Sequence, residues 1–496
     1  MARHGVYPHD IVPAKSKYFD SGRFGRMFGK LPAFAADTPE IRAALLDIGK
    51  AGGIMDAKDK LSEGPVKLIT DPTLGVKNTD NPNLTAGFTF LGQFLDHDMT
   101  FDPTSSLERQ ADPEHISNFR TPSLGLDNVY GSGPGGSPHL YDQSAAGRGI
   151  KFLLEETGTP GKSDVPRNSQ RVALIGDPRN DENLIVNQLQ VAFLRFHNAA
   201  CEYAKTKIKL TAPDQIFAEA QRLVRWHYQW ILVHEFLKKT CGEAVVDDIL
   251  ENGRKFYKWN NEPFIPVEFS VAAYRFGHSQ IRPSYRANFT GGPGGTPFFA
   301  MIFTPTPSDP VDPDDLSGGC RAPRRFIDWP TFFDFKDGNV KPNKKIDTTL
   351  STALFKLPGS VVANPNATSN PQSLAQRNLL RHLTFSLPSG QRVAKAMSLP
   401  VLSKGDLSDL KAHGLDDRTP LWFYVLREAQ TVENGERLGP VGARIIAEVF
   451  LGLLQGDQSS YLSQDPEWQP SLPCIDSSLT GDDFRIVDLL RFAGVA

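Results

Sequence analysis

The stretch Phe88–Asp102 reads FTFLGQFLDHDMTFD and sets polar and ionisable side chains into an apolar helical pattern. At helical period, Gln93 and His97 lie on one face of the predicted helix, four residues apart. The leucines and phenylalanines around them would bury this segment, and an unpaired charge in an apolar interior is very costly. The polar groups therefore need partners from elsewhere in the chain. A lone histidine in such a helix would most often be an ordinary core residue.

Two later stretches supply such partners for His97. The sequence GDPRNDEN places Arg179 and Glu182 three positions apart, just ahead of a long amphipathic helix. The sequence AAYRFGHSQI gives Arg275 and a second histidine, His278, late in another apolar helix. The chain thus carries two histidines in apolar helical patterns, together with an arginine and a carboxylate between them.

In this order, the motifs resemble those of the animal-type haem peroxidase superfamily, which contains myeloperoxidase and cyclooxygenase, in a compact bacterial-type form. The resemblance runs from about residue 30 to about residue 480 as an ordered series of motifs. It implies a haem b cofactor. It also implies an enzyme that reduces hydrogen peroxide through a ferryl intermediate while oxidising a small organic donor or a halide.

The resemblance assigns three residues to the side of the haem where peroxide reacts. His97 would take a proton from hydrogen peroxide and return it to the departing oxygen, a task suited to a group that titrates near neutrality. Arg179 would stabilise the negative charge that develops as the O–O bond breaks. Gln93, one turn before His97, would line the peroxide and halide pocket.

The same resemblance makes His278 the axial ligand of the haem iron on the opposite side. The segment Arg377–His382, RNLLRH, fits the proximal asparagine motif of the family. Asn378 would accept a hydrogen bond from the far nitrogen of His278 and orient its ring. Arg381 would point at a haem propionate, and Arg275, three residues before His278, would also lie against the cofactor.

Two carboxylates fall on the positions that form ester links to haem methyl groups in mammalian members of the family. These are Asp96 and Glu182, so the resemblance allows a covalently attached haem. The alternative is simple helix-end charge. Asn183 replaces the methionine through which myeloperoxidase forms a sulfonium bond, and this residue type excludes that bond.

A calcium loop is the other metal site that the resemblance implies. Its oxygen donors by position would be Asp98, Thr121, Ser123 and Asp127, and calcium requires hard oxygen ligands. Gly125 stands where calcium-binding members of the family usually have an aspartate. The alternative is an ordinary turn stabilised by serine and aspartate side chains.

Two other functions stay open at this point. The superfamily also contains fatty-acid dioxygenases that use a tyrosyl radical, typically on a tyrosine three residues before the proximal histidine. That position here is Arg275, with Tyr274 one residue earlier, which weakens the dioxygenase hypothesis without removing it. The third hypothesis is a haem-domain interaction or adhesion protein with little turnover. Four residues argue against it, since a scaffold needs none of them: His97, Arg179, His278 and Asn378.

Composition and charge exclude few classes of function. Hydrophobic residues make up 40% of the chain and charged residues 22%, and the net charge is −3. This balance is ordinary for a globular protein and argues against a nucleic-acid binder that works through a broad basic surface. The reducing substrate and the oligomeric state cannot be determined from the sequence.

The compartment is only weakly indicated. The N-terminus has no apolar signal-peptide core, so we expect no classical signal and a protein that is cytoplasmic or exported by a non-classical route. The most apolar run, residues 445–454, is too short to span a bilayer, which predicts no transmembrane segment. Four widely separated cysteines indicate neither a zinc site nor a disulfide framework.

The periodicity predicts a mainly α protein with long ordered loops and little β-structure. We expect residues 1–40 to form an extended N-terminal arm and residues 41–496 to form one large helical haem peroxidase domain. The predicted helices lie at residues 184–206, 214–240 and 372–386, and near 420–430, 440–455 and 483–492. Residues 291–345, rich in proline, glycine and aspartate, should form an ordered surface excursion.

Overall fold

The computed structural model describes residues 24–101, 110–113, 118, 120–260, 262–306, 308–359, 361–362, 364–474 and 484–496. Residues 1–23 of the predicted arm and Asp102 of the opening stretch lie outside this part of the chain.

The described chain is mainly helical, which confirms the predicted fold class. Its α-helices are α1 Pro39–Ile48, α2 Pro65–Thr70, α3 Gly87–Met99, α4 Asp127–Tyr130, α5 Gly133–Gly136, α6 Leu184–Thr206, α7 Pro213–Ile231, α8 Lys238–Cys241, α9 Glu243–Asn252, α10 Leu374–Thr384, α11 Gly390–Ala396, α12 Leu421–Val432, α13 Pro440–Gly456, α14 Tyr461–Gln464 and α15 Ile486–Phe492.

The β-structure of the described residues consists of short two-stranded pairs. The strands are β1 Phe24–Gly25, β2 Asp80–Thr85, β3 Glu155–Glu156, β4 Ser163–Asp164, β5 Ile265–Pro266, β6 Ser284–Asn288, β7 Phe298–Met301 and β8 Pro342–Lys344. The β1–β5 pair is parallel, whereas β2–β8, β3–β4 and β6–β7 are antiparallel. The β1–β5 and β2–β8 pairs join distant parts of the chain, whereas β3–β4 and β6–β7 join neighbouring segments.

Helix α3 runs through the core of the molecule. Eleven of its thirteen residues are buried, and the Phe94 ring stacks on that of Phe193 in α6 with centroids 4.6 Å apart. Helix α6 in turn packs along α7. Since large aromatic side chains fill the space around α3, the backbone that carries His97 has a defined place.

The apolar pattern predicts that His278 lies near the end of a regular α-helix. The structure shows an irregular helix there instead. A π-helical turn, Glu268–Ala272, passes directly into a 3₁₀-helix, Ala273–Gln280. Tertiary contacts hold this irregular backbone: the Glu268 carboxylate accepts hydrogen bonds from the backbone N–H groups of Met27 and Phe28. Such changes of helix type are frequent at functional sites, and apolar spacing alone does not reveal them.

The segment 291–345 is more than a surface excursion, because part of it enters the core and supports the loop before α6. Leu184 N–H donates to Leu316 O at 2.8 Å, and Gly318 N–H donates to Glu182 O at 2.9 Å. A Cβ at Gly318 would lie 1.6 Å from the Asp181 carbonyl oxygen, so only glycine allows this approach. The excursion thereby fixes the backbone around Glu182.

Two further findings concern the described residues as a whole. None of the helices in the described ranges combines the length and the apolarity that a bilayer span requires. The four cysteines are free thiols, of which Cys201, Cys241 and Cys320 are buried.

Candidate active site

A cavity of about 390 Å³ lies where α3, the loop before α6, the 3₁₀-helix Ala273–Gln280 and α10 meet. All nine residues to which the peroxidase resemblance gives a catalytic or haem-binding role line it: Gln93, Asp96, His97, Arg179, Glu182, Arg275, His278, Asn378 and Arg381. They come from stretches up to almost 300 residues apart in the chain, which the fold brings to one place. Many of the other lining side chains are aromatic or aliphatic, as in sites for flat organic ligands.

His97 has a hydrogen-bond partner that its sequence motif does not predict. Its Nδ1 atom lies 2.7 Å from Oδ1 of the buried Asn180. Burial and then the nearby charge of Arg179 lower the pKa of His97 to about 4. The sequence predicts that His97 titrates near neutrality, and the structure corrects this to a lower pKa. Burial and a neighbouring guanidinium both disfavour the charged imidazole.

Arg179 is held by an anion and by carbonyl groups. Its Nε and Nη2 atoms donate to Asp177 at 3.1 and 2.9 Å, and Nη2 also donates to the backbone oxygens of His97 and Thr100. The guanidinium lies over the Phe101 ring, 4.6 Å from its centroid. These contacts fix both its plane and its position, as a preorganised cation requires.

Asp177 is the counter-ion of this arginine. It is fully buried, caps the turn Pro178–Asp181 and is also paired with Arg120. Burial by itself would raise the pKa of Asp177, but the hydrogen bonds and charge of Arg179, with the charge of Arg120, lower it to about 2. The aspartate therefore stays ionised and keeps Arg179 in place.

His278 also has an asparagine partner. Its Nδ1 atom lies 2.7 Å from Nδ2 of Asn378, whereas the sequence analysis expected the amide oxygen there. A half-turn of the amide about its last bond exchanges the two atoms, so Oδ1 can take the same place. Burial, with the charge of Arg275, lowers the pKa of His278 to about 3, so this ring is neutral.

Helix α10 and α12 support the His278 side of the cavity. His382 contacts the Asn378 carbonyl oxygen through Nδ1 at 2.9 Å, and its Nε2 atom accepts from the Trp422 backbone N–H at 3.0 Å. The Trp422 indole N–H donates to Arg275 O at 3.0 Å. No local pattern of residues pointed to Trp422, since it lies far along the chain from its partner Arg275.

The carboxylates Asp96 and Glu182 both line the cavity. Asp96 Oδ1 accepts from the Thr100 hydroxyl at 3.1 Å, and Oδ2 lies 3.9 Å from Nη1 of Arg275. Burial raises the pKa of Glu182 to about 7. Neither is a plain helix-end charge in solvent.

Tyr274 and Arg377 are two more lining residues with defined partners. The Tyr274 hydroxyl donates to Gly92 O in α3 at 3.0 Å, and its ring stacks on Phe269. Nη1 of Arg377 donates to Asn370 Oδ1 at 2.5 Å. Arg377 belongs to the RNLLRH motif, in which the resemblance gives roles only to Asn378 and Arg381.

The residues of the expected calcium loop lie near one another behind α3. Asp98 Oδ2 accepts from Leu126 N–H at 3.0 Å and from the Tyr228 hydroxyl at 3.1 Å. Its Oδ1 atom is buried without a hydrogen-bond partner, and so is Thr121 Oγ1. Burial, followed by the charge of Asp127, raises the pKa of Asp98 to about 7.

Gly125 lies among the remaining oxygen atoms. A Cβ there would lie 3.3 Å from Ser123 Oγ and 3.4 Å from Asp127 Oδ1. In the described ranges, no group of three or more histidine, cysteine, aspartate or glutamate side chains is arranged as a metal site. The candidate donors instead comprise two carboxylates and two hydroxyls.

Comparison with known proteins gives one family and one fold. The family model for animal haem peroxidase matches residues 108–307. Thyroid peroxidase of Sus scrofa is 25% identical over 383 residues, which are 70% of this chain and 39% of that protein. The matched part of this chain spans 9% of the length of Dual oxidase of Drosophila melanogaster and 39% of the length of the Sus scrofa thyroid peroxidase.

Two solved structures share the fold. Peroxidase A from Dictyostelium discoideum superposes with a TM-score of 0.54 at 16% identity, covering 90% of each chain. The fatty acid α-dioxygenase of Oryza sativa superposes with a TM-score of 0.55 at 13% identity, covering 88% of this chain and 82% of that one. The fold alone therefore fits both kinds of enzyme.

Proposed function

Because the chain belongs to the animal-type haem peroxidase superfamily, we propose that it is a haem peroxidase that reduces hydrogen peroxide and oxidises a small organic donor or a halide. One observation carries the proposal: His97 and His278 enter a single cavity from two elements, each with Nδ1 2.7 Å from an asparagine amide. An asparagine at each Nδ1 leaves each Nε2 for chemistry, one as a base and the other as a metal ligand.

The residues present fit a haem. The cavity is lined by phenylalanine and leucine side chains, which suit a macrocycle, and by Arg275, Arg377 and Arg381, which suit its two propionates. His278 would hold the iron through Nε2, with Asn378 turned so that Oδ1 accepts from Nδ1–H. When bound, haem supplies the redox chemistry that peroxide reduction needs.

The chain's own part in the reaction is to move one proton and stabilise charge. His97 is neutral at pH 7, because its pKa is about 4, and so accepts a proton from one oxygen of hydrogen peroxide. It returns that proton to the other oxygen, which leaves as water. Arg179, held by Asp177, donates to the oxygen on which negative charge develops.

A fatty-acid dioxygenase is the second candidate, and Tyr274 favours it. Tyr274 lines the cavity, and its hydroxyl donates to Gly92 O. Against this, the position three residues before His278 is Arg275 rather than a tyrosine. We therefore rank the peroxidase first.

We further propose that the haem is esterified through Asp96 and Glu182. Both carboxyl groups line the cavity. Burial raises the pKa of Glu182 to about 7, so the side chain is partly neutral at pH 7, and its conversion to a neutral ester costs little solvation. Each ester replaces one methyl hydrogen of the haem, and hydrogen peroxide is the two-electron oxidant for each bond.

A calcium ion bound by Asp98, Thr121, Ser123 and Asp127 is the last part of the proposal. The buried and unpartnered Asp98 Oδ1 and Thr121 Oγ1 support it, since buried polar atoms normally have partners. Binding a divalent cation would also offset the repulsion between the two carboxylates.

The histidine roles predict different losses for two substitutions. His278→Ala should abolish haem binding, because it removes the iron ligand. His97→Ala should keep the haem but slow the reaction with hydrogen peroxide by about 10²- to 10⁴-fold, because the proton acceptor is gone. Optical spectra and stopped-flow mixing with peroxide measure both effects, with His413→Ala, outside the cavity, as the control. A normal haem spectrum in His278→Ala, or an unchanged rate in His97→Ala, would disprove the respective role.

Substrate assays separate the two candidate functions. With hydrogen peroxide present, the haem-loaded protein should oxidise bromide or a phenol without taking up oxygen. Linoleic acid should cause no oxygen consumption, and Tyr274→Phe should leave phenol oxidation within about twofold of wild type, because the proton is carried by His97. Tyr203→Phe serves as the control. Oxygen uptake with linoleic acid that Tyr274→Phe abolishes would make the protein a dioxygenase.

Covalent attachment is tested by extraction. After a few turnovers with peroxide, acidified acetone should leave the haem on the wild-type protein. Asp96→Asn and Glu182→Gln should each remove one link, and the double variant should release all of the haem, because an amide does not form the ester. Mass spectrometry of haem peptides counts the links, and Glu202→Gln on the surface is the control. Complete release from wild type would show that the haem is not covalently bound.

Calcium should raise the thermal unfolding temperature of the chelator-treated protein, and magnesium should raise it less, since it prefers a rigid octahedral site with several waters. Asp98→Asn should remove the calcium effect, because it removes a charged ligand. Differential scanning calorimetry with each ion measures the shift. The same unfolding temperature with calcium and with chelator would exclude the site.

A further inference from the structure

A row of buried amides leads from His97 away from the cavity. His97 Nδ1 lies 2.7 Å from Asn180 Oδ1, and Asn180 Nδ2 donates to Gln190 Oε1 at 2.8 Å. Gln190 Nε2 then donates to the backbone oxygen of Asn128 at 3.3 Å. Asn180, Gln190 and Asn128 are all fully buried, and neither Asn180 nor Gln190 lines the cavity.

The last contact sets the direction of the whole row. A backbone oxygen can only accept a hydrogen bond, so the Gln190 amide must present Nε2 to Asn128. Its Oε1 atom then faces Asn180 and can only accept, so Asn180 must present Nδ2 to it. The Asn180 oxygen is left for His97, and this oxygen accepts only from a protonated Nδ1.

We propose that Asn180 and Gln190 form an amide relay that fixes His97 as the tautomer protonated on Nδ1, with the lone pair on Nε2 as its proton acceptor. The inference rests on the proposed function, in which His97 is the base for hydrogen peroxide. The two amides are positioning residues, because they act on the reaction only through His97.

The far end of the relay is built into the packing around α4. A Cβ at Gly176 would lie 2.5 Å from the Asn128 backbone oxygen, so only glycine avoids a clash with this carbonyl group. The Asn128 side chain also donates to Phe94 O in α3 at 3.3 Å. The oxygen that orients the relay is therefore held against the helix that carries His97.

A neutral relay suits a base better than a carboxylate partner would. A carboxylate at Asn180 would also accept from Nδ1–H, but its negative charge would favour the imidazolium, which cannot take a further proton. Amides set the tautomer without adding charge. Asn180→Asp therefore tests the effect of charge, because a carboxylate still accepts from Nδ1–H but adds a negative charge and no longer donates to Gln190 Oε1.

The tautomer of His97 is the direct measurement. Nitrogen NMR of the haem-loaded protein with ¹⁵N-labelled histidine, in its diamagnetic ferrous carbon monoxide form, distinguishes a protonated from an unprotonated ring nitrogen, and comparison with His97→Ala assigns the signals. Wild type and Asn180→Asp should show Nδ1–H. Gln190→Met leaves Asn180 without its acceptor, so its amide can turn and donate to Nδ1, and Nε2–H should increase.

Cyanide binding to the ferric haem gives a second measurement without any redox step. Hydrogen cyanide must lose its proton as it binds, and the lone pair on Nε2 receives it. The association rate should fall about tenfold in Gln190→Met and further in Asn180→Leu, on the scale of other hydrogen-bond partners of site residues.

Gln188→Met is the matched control, since Gln188 is a buried glutamine of the same helix that bonds to Ser163 O rather than to the relay. Wild type with Nε2–H would overturn the relay. The relay would also be overturned if Gln190→Met kept His97 protonated on Nδ1 and bound cyanide at the same rate as Gln188→Met. If Gln190→Met does not fold, the same test is made by comparing the His97 tautomer and the cyanide association rate of Asn180→Leu with those of Asn180→Asp. A wild type with Nδ1–H that does not reduce peroxide would refute the proposed function and leave the relay in place.

Discussion

A buried imidazole that does chemistry must present one ring nitrogen to its substrate and have the other one satisfied by the protein. The cavity meets this requirement twice, with Asn180 beside His97 and Asn378 beside His278, each 2.7 Å from Nδ1. Neutral amides meet it without adding a charge, and both rings have lowered pKa values. The surrounding helices hold these two pairs at one cavity, and the proposed chemistry depends on both.

The loop that carries Arg179 is held from several directions, which accounts for its irregular surroundings. Asp177 caps the turn Pro178–Asp181 and pairs with Arg179. Asn183, where the loop ends, caps the N-terminus of α6. The excursion reaches the same loop from outside, where Gly318 approaches its backbone more closely than any other residue type could. A cation that must meet a developing charge needs this rigidity, because a mobile arginine would lose much of its effect to reorganisation.

Peroxidase and dioxygenase folds superpose on this chain almost equally well, so the fold does not choose between the two reactions. The choice depends on which side chain faces the substrate. His97 with Arg179 forms a proton acceptor beside a fixed cation, which suits peroxide, whereas Tyr274 is tied to Gly92 O and lies beside Arg275. These contacts are the reason that we propose a peroxidase rather than a dioxygenase.

The sequence by itself determined the helical class and nine of the polar and charged residues that line the cavity. Short motifs that resemble those of the animal-type haem peroxidases identified His97, Arg179 and His278 as candidate site residues, and all three line one cavity. Periodicity describes only one helix at a time, however. The π-turn and 3₁₀-helix before and around His278 follow from tertiary contacts, and the spacing there had predicted a regular helix.

Only the tertiary structure decided the partners of these residues. Asn180 lies 83 positions from His97, and Trp422 lies 147 positions from Arg275. The direction of a hydrogen bond depends on which atom the fold brings opposite, and the lowered pKa of His97 depends on how completely the fold removes water. Both are properties of packing between distant segments, which no local pattern of residues contains.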